Sequence, residues 1–281
     1  MLSYRHAFHA GNHADVLKHA VLIHLLNYLV QKDKPLWYAD THAGAAIHAL
    51  DSSAAMKNAE FESGIGRLWS RTDLPVPLGE YLAQVRAVNP GGVLRCYPGS
   101  ARIAAQMLRE KDRLRLFELH STESRGLQEY FCHAGPRVIV QAGDGFDGLK
   151  SLLPPPSRRG LVLIDPSYED KRDYLRVRDT LRDALQRFAT GVYAVWYPVV
   201  QRRESHQLPA MLKKLPARNW LHAGLTVKAP SADGYGLHGS GMFVLNPPWT
   251  LPGMLRKTLP CLAGVLGQDA HAGYQIESDL S

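Results

Sequence analysis

Apolar and polar positions change their period several times along this chain, and the changes predict its elements. Residues 13 to 31 place Val16, Leu17, Ala20, Ile23, Leu26 and Leu29 near a period of 3.6, which predicts a helix. PLWYAD, 35 to 40, reads as a short strand ending in a carboxylate. From 51 to about 95 helical patterns return (Met56, Phe61, Ile65, Leu68, Trp69, then Leu78, Tyr81, Leu82, Val85), broken by LPVP and NPGG. Ser100 is placed to cap a helix over 101–110. Four strand-like runs follow, at 114–120, 137–143, 161–165 and 192–199, separated by helical patterns such as 173–188. Two further runs, 219–227 and 239–248, read as a closing antiparallel pair.

Strands alternating with helices predict an α/β fold built on a parallel sheet. The stretch 46–95 reads as a helical insertion within a single domain spanning 1–281. The chain has 281 residues, 45% hydrophobic and 21% charged, enough to bury a sizeable core and unlike a disordered composition. An excess of 33 Lys+Arg over 26 Asp+Glu gives +7, compatible with a polyanionic partner without requiring one. Cys96, Cys132 and Cys261 lie far apart, so no disulfide framework or zinc ribbon is indicated. Histidines interrupt the N-terminus where a signal peptide would be apolar, and the run 20–30 is too short for a membrane span, so the expected setting is the cytoplasm, with no membrane partner.

Candidate chemistry falls at strand ends. Asp40, Glu118, Asp144 and Asp165 lie at or just past the ends of predicted parallel strands, where open α/β sheets bind ligands. THAGAA after Asp40 offers one glycine at the turn, not the G-x-G-x-x-G of a pyrophosphate cradle. A ligand without phosphates, such as S-adenosylmethionine, suits this pattern better. Glu118 is placed to accept from ribose hydroxyls and Asp144 from an adenine amine. Asp and Gly are also ordinary turn residues, and each of these acids has that simpler reading. "LIDPSYE", 163–169, carries more: Asp165 can accept one N–H of an exocyclic amine, the Pro166 carbonyl can accept the other, and an exposed Tyr168 can stack on an extruded base.

YRHAFHAGNHADVLKH (4–19), DTHAG (40–44), LFELH (116–120), DGFDGL (144–149) and LIDPSYE (163–169) together resemble the RlmJ family of bacterial 23S ribosomal RNA adenine-N6 methyltransferases. The resemblance runs in order over nearly the whole chain and fades after about 250. It implies a Rossmann-like class I methyltransferase with a helical insertion, S-adenosylmethionine as donor and an adenine of 23S rRNA as target. By the same resemblance, Lys18, His19, His42, Ser100, Glu118, Asp144, Gly145 and Asp165 hold the donor. Asp165 is also the catalytic acceptor, with Pro166 and Tyr168 beside it, and Tyr4 and His6 face the substrate base. Where the family has D-P-P-Y, this chain has Ser167 in place of the second proline, which restores an N–H and loosens the loop.

Seven histidines fall in the first 50 residues: His6, His9, His13, His19, His24, His42 and His48. No H-E-x-x-H or completing Cys/acid set accompanies them, so no metal is expected. His24 reads as a satisfied core residue. Residues 1–12 read as an arm acting on RNA more than on the fold, and the protein as a monomer. Two rival readings stay open: an amino-methyltransferase for DNA adenine or protein glutamine, and a non-catalytic nucleic-acid-binding protein.

Overall fold

The computed structural model describes residues 6–280. In chain order its elements are α1 (His13–Val30), β1 (Trp37–Asp40), β2 (Ile47–Ala49), α2 (Ser53–Asn58), α3 (Glu60–Ser63), α4 (Ile65–Trp69), α5 (Val76–Arg86), β3 (Cys96–Pro98), α6 (Ser100–Met107), β4 (Arg113–Glu118), α7 (Ser121–Tyr130), β5 (Val138–Ala142), α8 (Gly145–Leu152), β6 (Gly160–Ile164), α9 (Arg172–Arg187), β7 (Val192–Val199), α10 (Arg203–Leu212), β8 (Trp220–Thr226), β9 (Gly239–Leu245), α11 (Leu251–Leu266) and β10 (Gly273–Ser278).

Eight strands form one sheet in the order β10-β8-β9-β7-β6-β1-β4-β5. β5, β4, β1, β6 and β7 run parallel, while β9 is antiparallel to both β7 and β8. The predicted closing pair is therefore present, with β9 inserted between β7 and β8. The strand β10, which no strong apolar alternation announces, completes the edge against β8. The strand order reverses between β1 and β6, and a crevice opens at such a point beyond the strands' C-terminal ends.

The central strands are apolar without alternation because both faces are covered. Leu161 and Leu163 of β6 join the cluster beneath α1, α5, α6 and α11. Val162 and Ile164 of the same strand join a second cluster with α8, α9 and α10 on the opposite face. α1 is buried almost all round, since it lies between the sheet and the helices that follow β1. Between β1 and β4, the four helices α2–α5 are flanked by the small antiparallel pair β2–β3, which the sequence pattern did not reveal.

Two local expectations need correction. Ser100 does not cap its helix: Gly99 is the cap residue, and the Ser100 hydroxyl donates to Asp40 Oδ2 at 2.6 Å instead. The N-terminal stretch is not a detached arm from residue 6 onward. Ala10, Gly11 and Asn12 are buried, and the Asn12 side chain accepts from the N–H groups of Ala14 and Asp15, capping α1. Among the described residues no helix is long and apolar enough to cross a membrane.

Candidate active site

Beyond the C-terminal ends of β1, β4, β5 and β6 lie two adjoining cavities. The first is lined by Lys18, His19, His42, Ser100, Glu118, Asp144, Gly145 and Asp165, together with Gly44, Phe146, Pro166 and Arg176. Every donor-site residue named from the sequence thus meets in one space, although they come from six separate segments. The second cavity is lined by His9, Asn12, Asp15, Glu60, Tyr168, Trp196, Arg202 and Tyr235, among others. His6, Lys18, Asp165 and Ser167 line both, so the LIDPSYE motif stands at their junction. Tyr4 lies outside the described residues.

Glu118, at the end of β4, is fixed by two backbone donors: Gly44 N–H to Oε2 at 2.9 Å and His120 N–H to Oε1 at 2.7 Å. Burial raises its pKa despite these bonds. Gly44 holds φ at +58°, a left-handed conformation that glycine adopts freely and that turns its N–H onto Glu118. Gly145 has a different reason to be glycine, because a Cβ there would stand 1.9 Å from the carbonyl oxygen of Thr41. The turn into α8 can approach the end of β1 only without a side chain.

Asp144 caps α8 through Phe146 N–H at 2.9 Å and pairs with Arg176 at 2.6 Å. These bonds outweigh burial and hold its pKa below the usual range. Arg176 also lies over the Phe146 ring, 4.4 Å from its centroid. His42 bonds Thr41 Oγ1 at 2.8 Å and meets Phe146 edge-on, and burial lowers its pKa to about 4. His19 stacks on Tyr97 and bonds its hydroxyl through Nδ1 at 2.9 Å, while its buried Nε2 has no partner among the described residues. Burial, then the Lys18 charge, keeps His19 neutral.

Asp165 follows β6, and its Oδ2 lies 2.6 Å from Lys18 Nζ. Burial lifts its pKa to about 6, against the opposing pull of Lys18. Burial also acts to discharge Lys18, but Asp15 and Asp165 outweigh it and raise its pKa. His6 reaches Asp15 Oδ2 at 2.9 Å.

Two expectations are overturned at this scale. Tyr168 is not exposed: it is 2% accessible, packs on Tyr174 and Trp196, and donates its hydroxyl to the Trp196 carbonyl at 2.8 Å. Its φ of +55° turns the ring inward, so the motif's aromatic is a wall of the second cavity. Asp40 is fully buried and lines neither cavity; it accepts from Tyr38, Ser100 and the His42 N–H, and so braces two lining residues from behind. Asp15 and Arg176 went unrecognised. Asp15 lies inside the run 4–19 that carries the family resemblance, and Arg176 in the charge-mixed helical pattern 173–188, where a charge beside an apolar stripe also describes a solvated face. His24, by contrast, bonds Thr250 Oγ1 at 3.0 Å from a half-buried position, a satisfied helix histidine. Among the described residues, no group of three or more His, Cys, Asp or Glu is placed to hold a metal ion.

Comparison with known proteins agrees with this geometry. Residues 33–278 match the family described as "Ribosomal RNA large subunit methyltransferase D, RlmJ", beyond position 250 where the recognisable motifs fade. The protein named ribosomal RNA large subunit methyltransferase J of Haemophilus influenzae is 44% identical over 99% of this chain and 98% of its own. Its Escherichia coli namesake is 47% identical over 93% of each. A crystal structure of a Legionella pneumophila protein superposes with a TM-score of 0.89 at 38% identity, covering 96% of this chain and 98% of that one. With the sheet, the junction of the two cavities and the whole-length similarity in agreement, the chain belongs to the ribosomal RNA large subunit methyltransferase J family.

Proposed function

We infer that this protein transfers a methyl group from S-adenosylmethionine to the N6 amine of an adenine in 23S ribosomal RNA. The observation that carries the reading is the meeting of the two cavities at Asp165. The first cavity suits the donor. Its lining is rich in carboxylates (Glu118, Glu123, Asp144, Asp165 and Asp173 against Lys18 and Arg176), which favours a cationic ligand over a phosphorylated one. His19, whose buried Nε2 has no hydrogen-bond partner among the described residues, lines the same space. Glu118 and Asp144 each keep acceptor capacity beyond their present bonds, since an ionised carboxylate has about four lone-pair sites.

When bound, the donor supplies an electrophilic methyl on a sulfonium. The chain's own residues prepare the amine. Asp165 accepts one N–H and draws the nitrogen lone pair out of conjugation with the ring, and the Pro166 carbonyl accepts the other. Lys18 engages Oδ2 of Asp165, and among the described residues Oδ1 receives no hydrogen bond. Glu118, His42 and Asp144 orient the donor, and the second cavity admits the base. The reading takes a monomer as the active form, acting on rRNA in the cytoplasm.

Purified protein, methyl-labelled donor and separate 23S rRNA, DNA and protein substrates test the reading directly. Labelled N6-methyladenine in the rRNA, located by mass spectrometry and absent from Asp165→Asn, is the expected result. Label in DNA adenine or protein glutamine instead would move the chain to another amino-methyltransferase, and no donor binding by calorimetry would leave only a nucleic-acid-binding role.

A further inference from the structure

Lys18 and His6 have roles suggested by the sequence, but the residue that binds both does not. Asp15 lies in the first turn of α1 and is 2% accessible. Its Oδ2 accepts from the Gly11 N–H at 2.9 Å and meets His6 Nε2 at 2.9 Å, while its Oδ1 lies 2.9 Å from Lys18 Nζ. The same ammonium is 2.6 Å from Oδ2 of Asp165. One buried cation is therefore shared between two buried carboxylates, and His6 closes the chain at the junction of the cavities.

The helix does not need this arrangement. Asn12 already caps α1, and an acidic residue that merely complements a helix dipole does so from the surface. A carboxylate taken out of water is costly unless it is paired, and the pairs of Asp15 are both residues of the site. We propose that Asp15 is a positioning residue for methyl transfer: it holds His6 at the cavity junction and divides the Lys18 charge between two carboxylates, so that Oδ1 of Asp165 stays a strong acceptor for the amine N–H. This rests on the reading of Asp165 given above.

The charge of this cluster has many neighbours. Asp15 is faced by His13, Lys18 and His19 of its own helix, by His6 and His9 from the preceding turn, by His48 of β2, by the hydroxyls of Tyr81 and Tyr97, and by Asp165. Asp165 is faced in addition by Tyr38 and Tyr168. Removing the Asp15 charge leaves Lys18 with Asp165 as its one carboxylate partner among the described residues and takes away an anion that disfavours ionised Asp165. Both changes make Asp165 easier to ionise, and the undivided Lys18 charge makes it a weaker acceptor for the amine N–H.

The test measures turnover on an rRNA transcript across pH, with donor affinity by calorimetry, for wild type, Asp15→Asn, Lys18→Met, Asp15→Asn/Lys18→Met and Asp165→Asn. Asp15→Asn is expected to lower kcat roughly tenfold or more, with donor Kd held within about threefold. Its acid limb should move to lower pH by about half a unit or more, and adding Lys18→Met should move it back up. Unchanged kcat, or a loss with an unmoved acid limb, overturns the proposal and leaves Asp15 a structural residue. Should Asp15→Asn not fold, Lys18→Met alone decides: its acid limb must rise above that of wild type, and an unmoved limb refutes the shared-cation account. Near-normal turnover in Asp165→Asn sinks the underlying reading of Asp165 whatever Asp15 does, so the two failures are distinguishable.

Discussion

Single residues here are defined by what holds them. Glu118 owes its orientation to two backbone N–H groups, so its replacement should act on the ligand rather than on the sheet. Glu118→Ala is expected to weaken donor binding by about 1.5–3 kcal/mol, the usual value of hydrogen bonds to a charged acceptor; calorimetry giving an unaltered Kd would remove Glu118 from the donor site. Ser167 occupies the position where the family pattern has proline, at the junction of the cavities. Its Oγ is only 3.5 Å from the Glu169 N–H, a weak contact to lose. Ser167→Pro should therefore preserve turnover or raise it slightly, since a compatible proline restricts the unfolded chain. An inactive but folded Ser167→Pro would assign the hydroxyl or N–H a role of its own. Tyr168 shows the limit of reading a motif as a string. Its identity was legible, but its left-handed backbone and its bond to the Trp196 carbonyl depend on β7, 28 positions later in the chain.

At the scale of elements, the start of α1 joins fold and site. Asn12 caps the helix with its Oδ1 and gives its amide nitrogen to Glu60 of α3 at 2.9 Å, while His9 meets the other oxygen of Glu60. Asn12→Ala should cost about 1 kcal/mol through the cap alone, and more through the part-buried Glu60 bond, seen as a lower midpoint in urea unfolding. Deleting residues 1–12, which the sequence reading treats as nearly neutral to stability, should lower the melting temperature clearly, because Asn12 and the Gly11 contact to Asp15 go with it. A truncation that unfolds at the wild-type temperature would restore the view of a detached arm.

Across the whole molecule, buried neutral histidines set the response to acid. Burial lowers the pKa of His13 and His222 to about 4 and of His48 to about 3. The unfolded chain protonates these rings near the ordinary value of about 6.5, so between pH 6.5 and 4 it binds more protons than the folded state. Stability therefore falls as pH drops through that window, by up to about 2 kcal/mol per ring at pH 5. Asp165 works the other way, because its raised pKa of about 6 lets the folded state take a proton first, and it offsets part of the loss. Urea midpoints at pH 7.5 and 5 should show a clear net loss in acid. Equal midpoints would mean that these rings are solvated in the native state.

Local sequence settled the periodic part of the protein. The run ending at Asp165 is apolar throughout, as in a strand covered on both faces, and the alternation of strand and helix patterns through Glu118 and Asp144 marked an open parallel sheet, which places strand ends along one edge. Residues that line one cavity from as far apart as Lys18 and Asp165 could be named together because local motifs carry them. Tertiary structure alone decided the rest. The sharing of Lys18 between Asp15 and Asp165 spans 147 positions and leaves no local pattern. The Ser100 hydroxyl turned from a helix cap to Asp40 because a fully buried carboxylate needs donors more than an N-terminal turn does. β2 and β3 are three residues each, too short for any periodicity to register, and pair only because the chain returns beside itself. Periodicity records which face of an element is buried; which partner meets that face is fixed by contacts between distant segments, and no local pattern encodes those contacts.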